Sequence, residues 1–192
     1  MKLVVVGSSW GGMRALSTLL AGLRPDLPAA VALAQHRSAA SDDGGLLEAL
    51  RGVSRLPVEE AEDKAPIESG RVYLAPADYH LLVDEGTFSL STEAEVRYSR
   101  PSIDVLFETA ADAYGSDLVA VVLTGANADG AVGLAAAHGQ GAITVVQDPT
   151  TAERAEMPHA ALATGAVHHV LPLDEIPGFL NDLCTTADWS RR

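Results

Sequence analysis

The run Leu118-Val119-Ala120-Val121-Val122-Leu123 leaves a folding chain few options. An unbroken apolar stretch with β-branched residues has no polar face to offer water, so a strand built from it must be covered on both sides. Two more such runs lie upstream: Val4-Val5-Val6, ended by Gly7, and Ala30-Val31-Ala32-Leu33-Ala34. Each is followed by apolar residues at helical spacing, Met13 to Leu23 and Ser41 to Leu50, with Ser41 or Asp42 as N-cap of the second. Pro57 to Ala61 and Val72 to Ala75 read as shorter extended pieces. His80 to Asp84 and Thr87 to Ser91 alternate around Glu85-Gly86, the pattern of a hairpin at the edge of a fold. Pro101 to Tyr114 reads as a helix with proline in its first turn. After the Leu118 run come a helix at Asp129 to His138, a strand at Ala142 to Val146 and a short helix after Pro158. A strand at Ala166 to Leu171 and a helix at Asp174 to Leu183 complete the chain. The order implies an α/β fold: a doubly wound, mostly parallel sheet with helices on both faces and a small edge hairpin. Asp42-Asp43-Gly44-Gly45 and the region from Glu59 to Ala65 read as loops, and residues 1–192 are expected to form a single domain.

Composition removes several function classes. Thirteen Lys and Arg against 26 Asp and Glu give a formal net charge of −13, which repels phosphate backbones and anionic headgroups, so nucleic acid is not an expected partner. No apolar run is long enough to span a membrane, and the first strand is too short for the core of a signal peptide. A single cysteine, Cys184, forms no internal disulfide, fits a reducing cytoplasm and reads as a small buried apolar residue. The six histidines show no metal-binding spacing with cysteines or carboxylates, and His168 and His169 would face opposite sides of a strand.

Parallel sheets bind ligands beyond the carboxyl ends of their strands, where strand order reverses. Gly7-Ser8-Ser9-Trp10-Gly11-Gly12 follows the first strand. It has the form Gly-x-Ser-x-Gly in a strand-to-helix setting that lifts a hydroxyl above the sheet, and a helix N-terminus beside it favours an oxyanion. Its bland reading is a tight or anion-binding turn. The dinucleotide fingerprint fits worse, because the glycines have the wrong spacing and no acidic residue lies about 20 positions on. Gln35-His36 follows the second strand, and a neutral imidazole is the usual base for a serine hydroxyl. Taken alone, a histidine there is a hydrogen-bonding structural residue. Thr124 to Gly130 follows the Leu118 run; Asp129 in it is either a helix N-cap or the carboxylate that orients His36. Asp104 is the rival acid, read otherwise as a surface or locally hydrogen-bonded residue. The order Ser9, His36, Asp129 differs from that of α/β-hydrolases.

These residues and four further segments resemble the catalytic domain of CheB-type chemotaxis receptor methylesterases, over Lys2 to Leu183. The segments are Gly70-Arg71-Val72-Tyr73-Leu74-Ala75-Pro76, Arg100-Pro101-Ser102-Ile103-Asp104-Val105-Leu106-Phe107, Leu123-Thr124-Gly125 through Asp129-Gly130, and Met157-Pro158. The resemblance implies Ser9 as nucleophile, His36 as general base and Asp129 as its orienting carboxylate. It implies the backbone amides of Trp10 and Ala126 as oxyanion donors, with Arg100 and Met157 along a substrate groove; read without the resemblance, Arg100 is a surface charge at a helix start and Met157 a core residue. The implied reaction, in the bacterial cytoplasm, is hydrolysis of γ-glutamyl methyl esters on methyl-accepting receptors or similar helical signalling proteins, with glutamine deamidation in some members. Such chemistry requires neither metal nor organic cofactor.

Three departures from the family pattern stand out. Trp10 occupies a position usually held by a small residue, so an indole narrows the groove or rests on the substrate chain. Arg37-Ser38 replaces Met-Pro after the histidine, and Ala126-Asn127 replaces Met-Gly before the aspartate. The first strand begins at residue 2, so the phosphoacceptor receiver domain of many relatives is not expected in this chain, and a separate receiver protein becomes a candidate partner. The competing reading is a non-catalytic regulatory module of the same fold that binds receptor helices.

Overall fold

A computed structural model describes residues 1–37 and 43–186. The expected N-cap at Ser41 or Asp42 lies outside the described residues. The elements run β1 (Lys2–Ser8), α1 (Gly12–Gly22), β2 (Ala29–Gln35), α2 (Asp43–Val53), β3 (Val58–Glu60), β4 (Val72–Leu74), β5 (His80–Asp84), β6 (Thr87–Ser91) and α3 (Ile103–Tyr114). They continue with β7 (Leu118–Val122), α4 (Ala131–Gly139), β8 (Ile143–Gln147), α5 (Glu156–Ala163), β9 (His169–Leu171) and α6 (Ile176–Thr185). Seven strands form one parallel sheet in the order β3-β4-β2-β1-β7-β8-β9, and β5 and β6 pair as a separate antiparallel hairpin. The expected doubly wound α/β class is therefore found. Strand order reverses between β1 and β7, so the crevice a ligand would use lies at their carboxyl ends.

Strand alternation divides the core in two. Val4 and Val6 of β1 join α1, α2 and α6 on one face, whereas Leu3 and Val5 join α3, the hairpin, Leu134 of α4 and Met157 of α5 on the other. This two-sided burial is why the central strands read as continuous apolar runs. Gly7 lets α3 lie hard against the sheet: a Cβ there would stand 2.2 Å from Cγ2 of Ile103. The start of α3 thus comes to the carboxyl end of β1.

Several boundaries differ from the sequence expectation. Asp43, Gly44 and Gly45 lie in α2, where a loop was expected, whereas β3 falls within the extended piece expected at Pro57 to Ala61 and so takes Glu59 and Glu60 out of the loop expected from Glu59 to Ala65. Pro101 stands before α3 after a cis bond to Arg100, and Ser102 is the N-cap, its hydroxyl accepting from the Val105 amide at 3.4 Å. Helix α5 starts ahead of Pro158, which sits in the first turn where amides need no helical partner. Strand β9 is shorter than Ala166 to Leu171: the Ala166 carbonyl accepts from the Thr144 hydroxyl at 2.8 Å, while the His168 amide still donates to the Thr144 carbonyl at 3.1 Å just ahead of the strand.

Candidate active site

The register of β1 against β2 pairs Ser8 with Gln35, so Ser9 and His36 leave the sheet as neighbours. The His36 amide donates to the Ser8 carbonyl at 3.0 Å, and the Ser9 amide donates to the Thr124 carbonyl at the end of β7, also at 3.0 Å. Gln35 locks the turn. Its Oε1 accepts from the Ser8 hydroxyl at 2.6 Å, and its Nε2 donates to the carbonyls of Ser9 and His36 at 2.8 and 3.0 Å.

His36 meets Asp129 across the crevice, with Nε2 and Oδ2 2.7 Å apart. Asp129 is completely buried, and it does not cap the helix that follows it. The N-cap of α4 is Gly130, at φ 89°, without a side-chain bond. Asp129 caps α3 instead: it accepts from the amides of Ile103 and Asp104 at 2.7 and 3.0 Å and from the Ser102 hydroxyl at 3.0 Å. A helix N-terminus is a favourable place for an anion. Burial pushes the Asp129 carboxyl up, but the bonds from His36, Ile103 and Asp104 outweigh it and hold the group below the usual carboxylate range. An ionised Asp129 assigns the proton of neutral His36 to Nε2 and leaves Nδ1 as the basic nitrogen.

That nitrogen faces two residues that sequence reasoning gave no role at the imidazole. Ser99 Oγ and Asn127 Nδ2 each lie 3.3 Å from His36 Nδ1, and Asn127 Oδ1 also accepts from the Asp129 amide at 3.1 Å. Asn127 stood out only as a departure from a motif, and nothing in the local pattern marked Ser99. Among the described residues, the Ser9 hydroxyl and the backbone amides of Trp10 and Ala126 have no hydrogen-bond partner. Trp10 projects outward. Its indole Nε1 donates to Glu153 at 3.0 Å, and the Arg154 guanidinium lies 5.4 Å from the ring centre.

The other candidates fall elsewhere. Asp104, the rival acid, is buried rather than on the surface. It accepts from the Gly133 amide at 2.8 Å and from Arg97 Nε at 3.1 Å. Burial, reinforced by the neighbouring Asp129 charge, pushes its carboxyl above the ordinary range despite those donors. Arg100, expected along the groove, is committed to Asp78 and to the carbonyls of Thr92 and Glu93. Met157, expected at the rim, is core: its side chain fills the space a Cβ on Gly125 would need, 2.5 Å from Cε, beneath the turn that also touches Ser9. Cys184 is buried, which pushes its thiol up to about 11 and leaves it a packing residue. No helix among the described residues is long and apolar enough to cross a membrane.

A parallel sheet that sets a serine, a bonded imidazole and carboxylate, and open amides at its carboxyl edge is the framework of a doubly wound α/β enzyme of the ester-hydrolysing class. Comparison with known proteins narrows the class. The family model described as CheB methylesterase matches residues 4–180, and the chain belongs to that family. The crystal structure of the Thermotoga maritima CheB methylesterase catalytic domain matches with a TM-score of 0.90 at 34% identity, covering 95% of this chain and 98% of that one. A Leptospira interrogans relative is 45% identical over 174 residues, 90% of each chain. Protein-glutamate methylesterase/protein-glutamine glutaminase 2 of Anaeromyxobacter dehalogenans is 44% identical over 182 residues, which are 95% of this chain and 53% of that protein.

Proposed function

We propose that the chain hydrolyses γ-glutamyl methyl esters on methyl-accepting chemoreceptors or similar helical signalling proteins, acting in the cytoplasm as one domain over residues 1–192. The observation that carries this reading is the 2.7 Å bond between His36 and a buried Asp129, set beside Ser9 at the strand-order reversal.

The mechanism follows from the roles the site allows. Ser9 Oγ attacks the ester carbonyl carbon while His36 Nδ1, exchanging its loose contacts with Ser99 and Asn127, takes the hydroxyl proton. Asp129 stabilises the imidazolium and keeps its own charge. The amides of Trp10 and Ala126 donate to the oxyanion. Collapse breaks the bond to the methoxy oxygen, and the proton on Nδ1 leaves with it as methanol. Water then attacks the acyl-Ser9 ester with the same nitrogen as base, releasing glutamate and restoring the hydroxyl. A glutamine side chain in the same pose loses ammonia, which accords with the double designation of the relatives.

Methanol release from methylated receptors of the same cell tests the assignment. Ser9→Ala is expected to lower kcat by about 10⁴ or more with the fold intact; retained turnover in that variant overturns it.

A further inference from the structure

Between β6 and α3 the chain makes a turn that is strained, firmly held and placed against the imidazole. Val96 and Ser99 exchange two backbone hydrogen bonds, at 3.2 and 3.0 Å, closing a two-residue loop. Its central residues, Arg97 and Tyr98, have φ values of 49° and 61°, the sign pattern of a type I′ turn. Glycine and asparagine favour that conformation; an arginine and a tyrosine there are held against their own preference. The anchors are visible. Arg97 Nε donates to buried Asp104 at 3.1 Å, Arg100 clasps the carbonyls of Thr92 and Glu93 at 2.9 and 2.8 Å, and His80 Nε2 lies 3.1 Å from the Ala94 carbonyl. The next residue after the strained pair is Ser99, whose hydroxyl faces His36. All this fixes one side chain in water: Tyr98 is 96% exposed, the most exposed of the large apolar and aromatic side chains among the described residues.

Among the described residues, no hydrogen bond or ring contact uses that ring. Strain in a firmly held backbone points to use at a site rather than to packing. A rigid aromatic carrying one hydroxyl also makes contact area at little entropic cost.

We propose that Tyr98 is a specificity-determining residue, whose ring packs on the polypeptide flanking the esterified glutamate and so favours protein-borne esters over small free ones. The proposal rests on the methylesterase reading.

The test compares kcat/KM for methylated receptor with kcat/KM for a small soluble glutamate γ-methyl ester. In Tyr98→Gly the ratio of receptor to small ester is expected to fall roughly tenfold. The melting temperature should hold or rise by a few degrees, because glycine relieves the positive φ. Tyr98→Phe, which keeps the ring, is expected to keep the ratio within about twofold of wild type. An unchanged ratio in Tyr98→Gly, an equal fall on both substrates, or a Tyr98→Phe variant as impaired as Tyr98→Gly overturns the proposal. Wild-type protein that hydrolyses neither ester instead overturns the methylesterase reading on which it stands.

Discussion

The two ends of the site are built on opposite principles. At the carboxylate end, Asp129 is fully buried and takes bonds from an imidazole, a hydroxyl and the amides that open α3, so one charge serves as helix cap and as partner of His36. At the hydroxyl end, the Ser9 side chain has no partner among the described residues, and the exposed indole of Trp10 comes next. The difference separates what must be fixed in advance from what must stay available. In the proposed mechanism the orienting anion works by immobility, whereas the nucleophile has to reach a substrate atom.

Changes at the two ends should therefore read out differently. Asp129→Asn is expected to lower kcat for methanol release on the order of 10⁴, because an amide cannot hold the Nε2-protonated tautomer. Unlike Ser9→Ala it should also lower stability, by about 3 kcal/mol, since an amide NH₂ then confronts the α3 amides. Equal stability of the two variants in urea melts would erase the contrast.

A smaller effect concerns pH. Asp129 has a depressed carboxyl, so the stability it contributes is present above the unfolded value of about 4 and is lost as pH falls from there toward its folded value. Asp104 is raised, so it opposes folding while ionised, and that penalty starts to shrink as pH falls through its folded value and is gone below the unfolded value of about 4. Asp104→Asn should accordingly give the smallest change, a gain under about 1 kcal/mol at neutral pH that vanishes once the wild-type carboxyl is protonated in both states. Denaturant melts from pH 7 to pH 3 check both signs.

Much of this was legible in the chain, and for physical reasons. The Leu118 run announced a two-sided strand because it had no polar face, and the alternation around Glu85-Gly86 set the hairpin His80–Asp84 and Thr87–Ser91 at its observed bounds. Ser9 and His36 could be read because they follow strands that announce themselves. What stayed hidden depends on contacts across the fold. Sequence offers Asp129 as a cap for the helix it precedes; that it caps α3 follows only from the close approach of Ile103 to Gly7. Arg100 looked like a groove cation until its guanidinium was found on Asp78 and on the carbonyls of its own loop. Ser99 and Asn127 carry no local signature, because their relation to His36 depends on how two loops fold over the sheet.

The proposed mechanism requires that Ser9, and no other hydroxyl near His36, becomes acylated. Acid-quenched turnover of a small glutamyl methyl ester, followed by peptide mass spectrometry, tests it directly. An acyl group on the peptide containing Ser9 is the expected result, absent in Ser9→Ala. Acylation of the peptide containing Ser99, the hydroxyl that sits 3.3 Å from the imidazole in the resting protein, would contradict it.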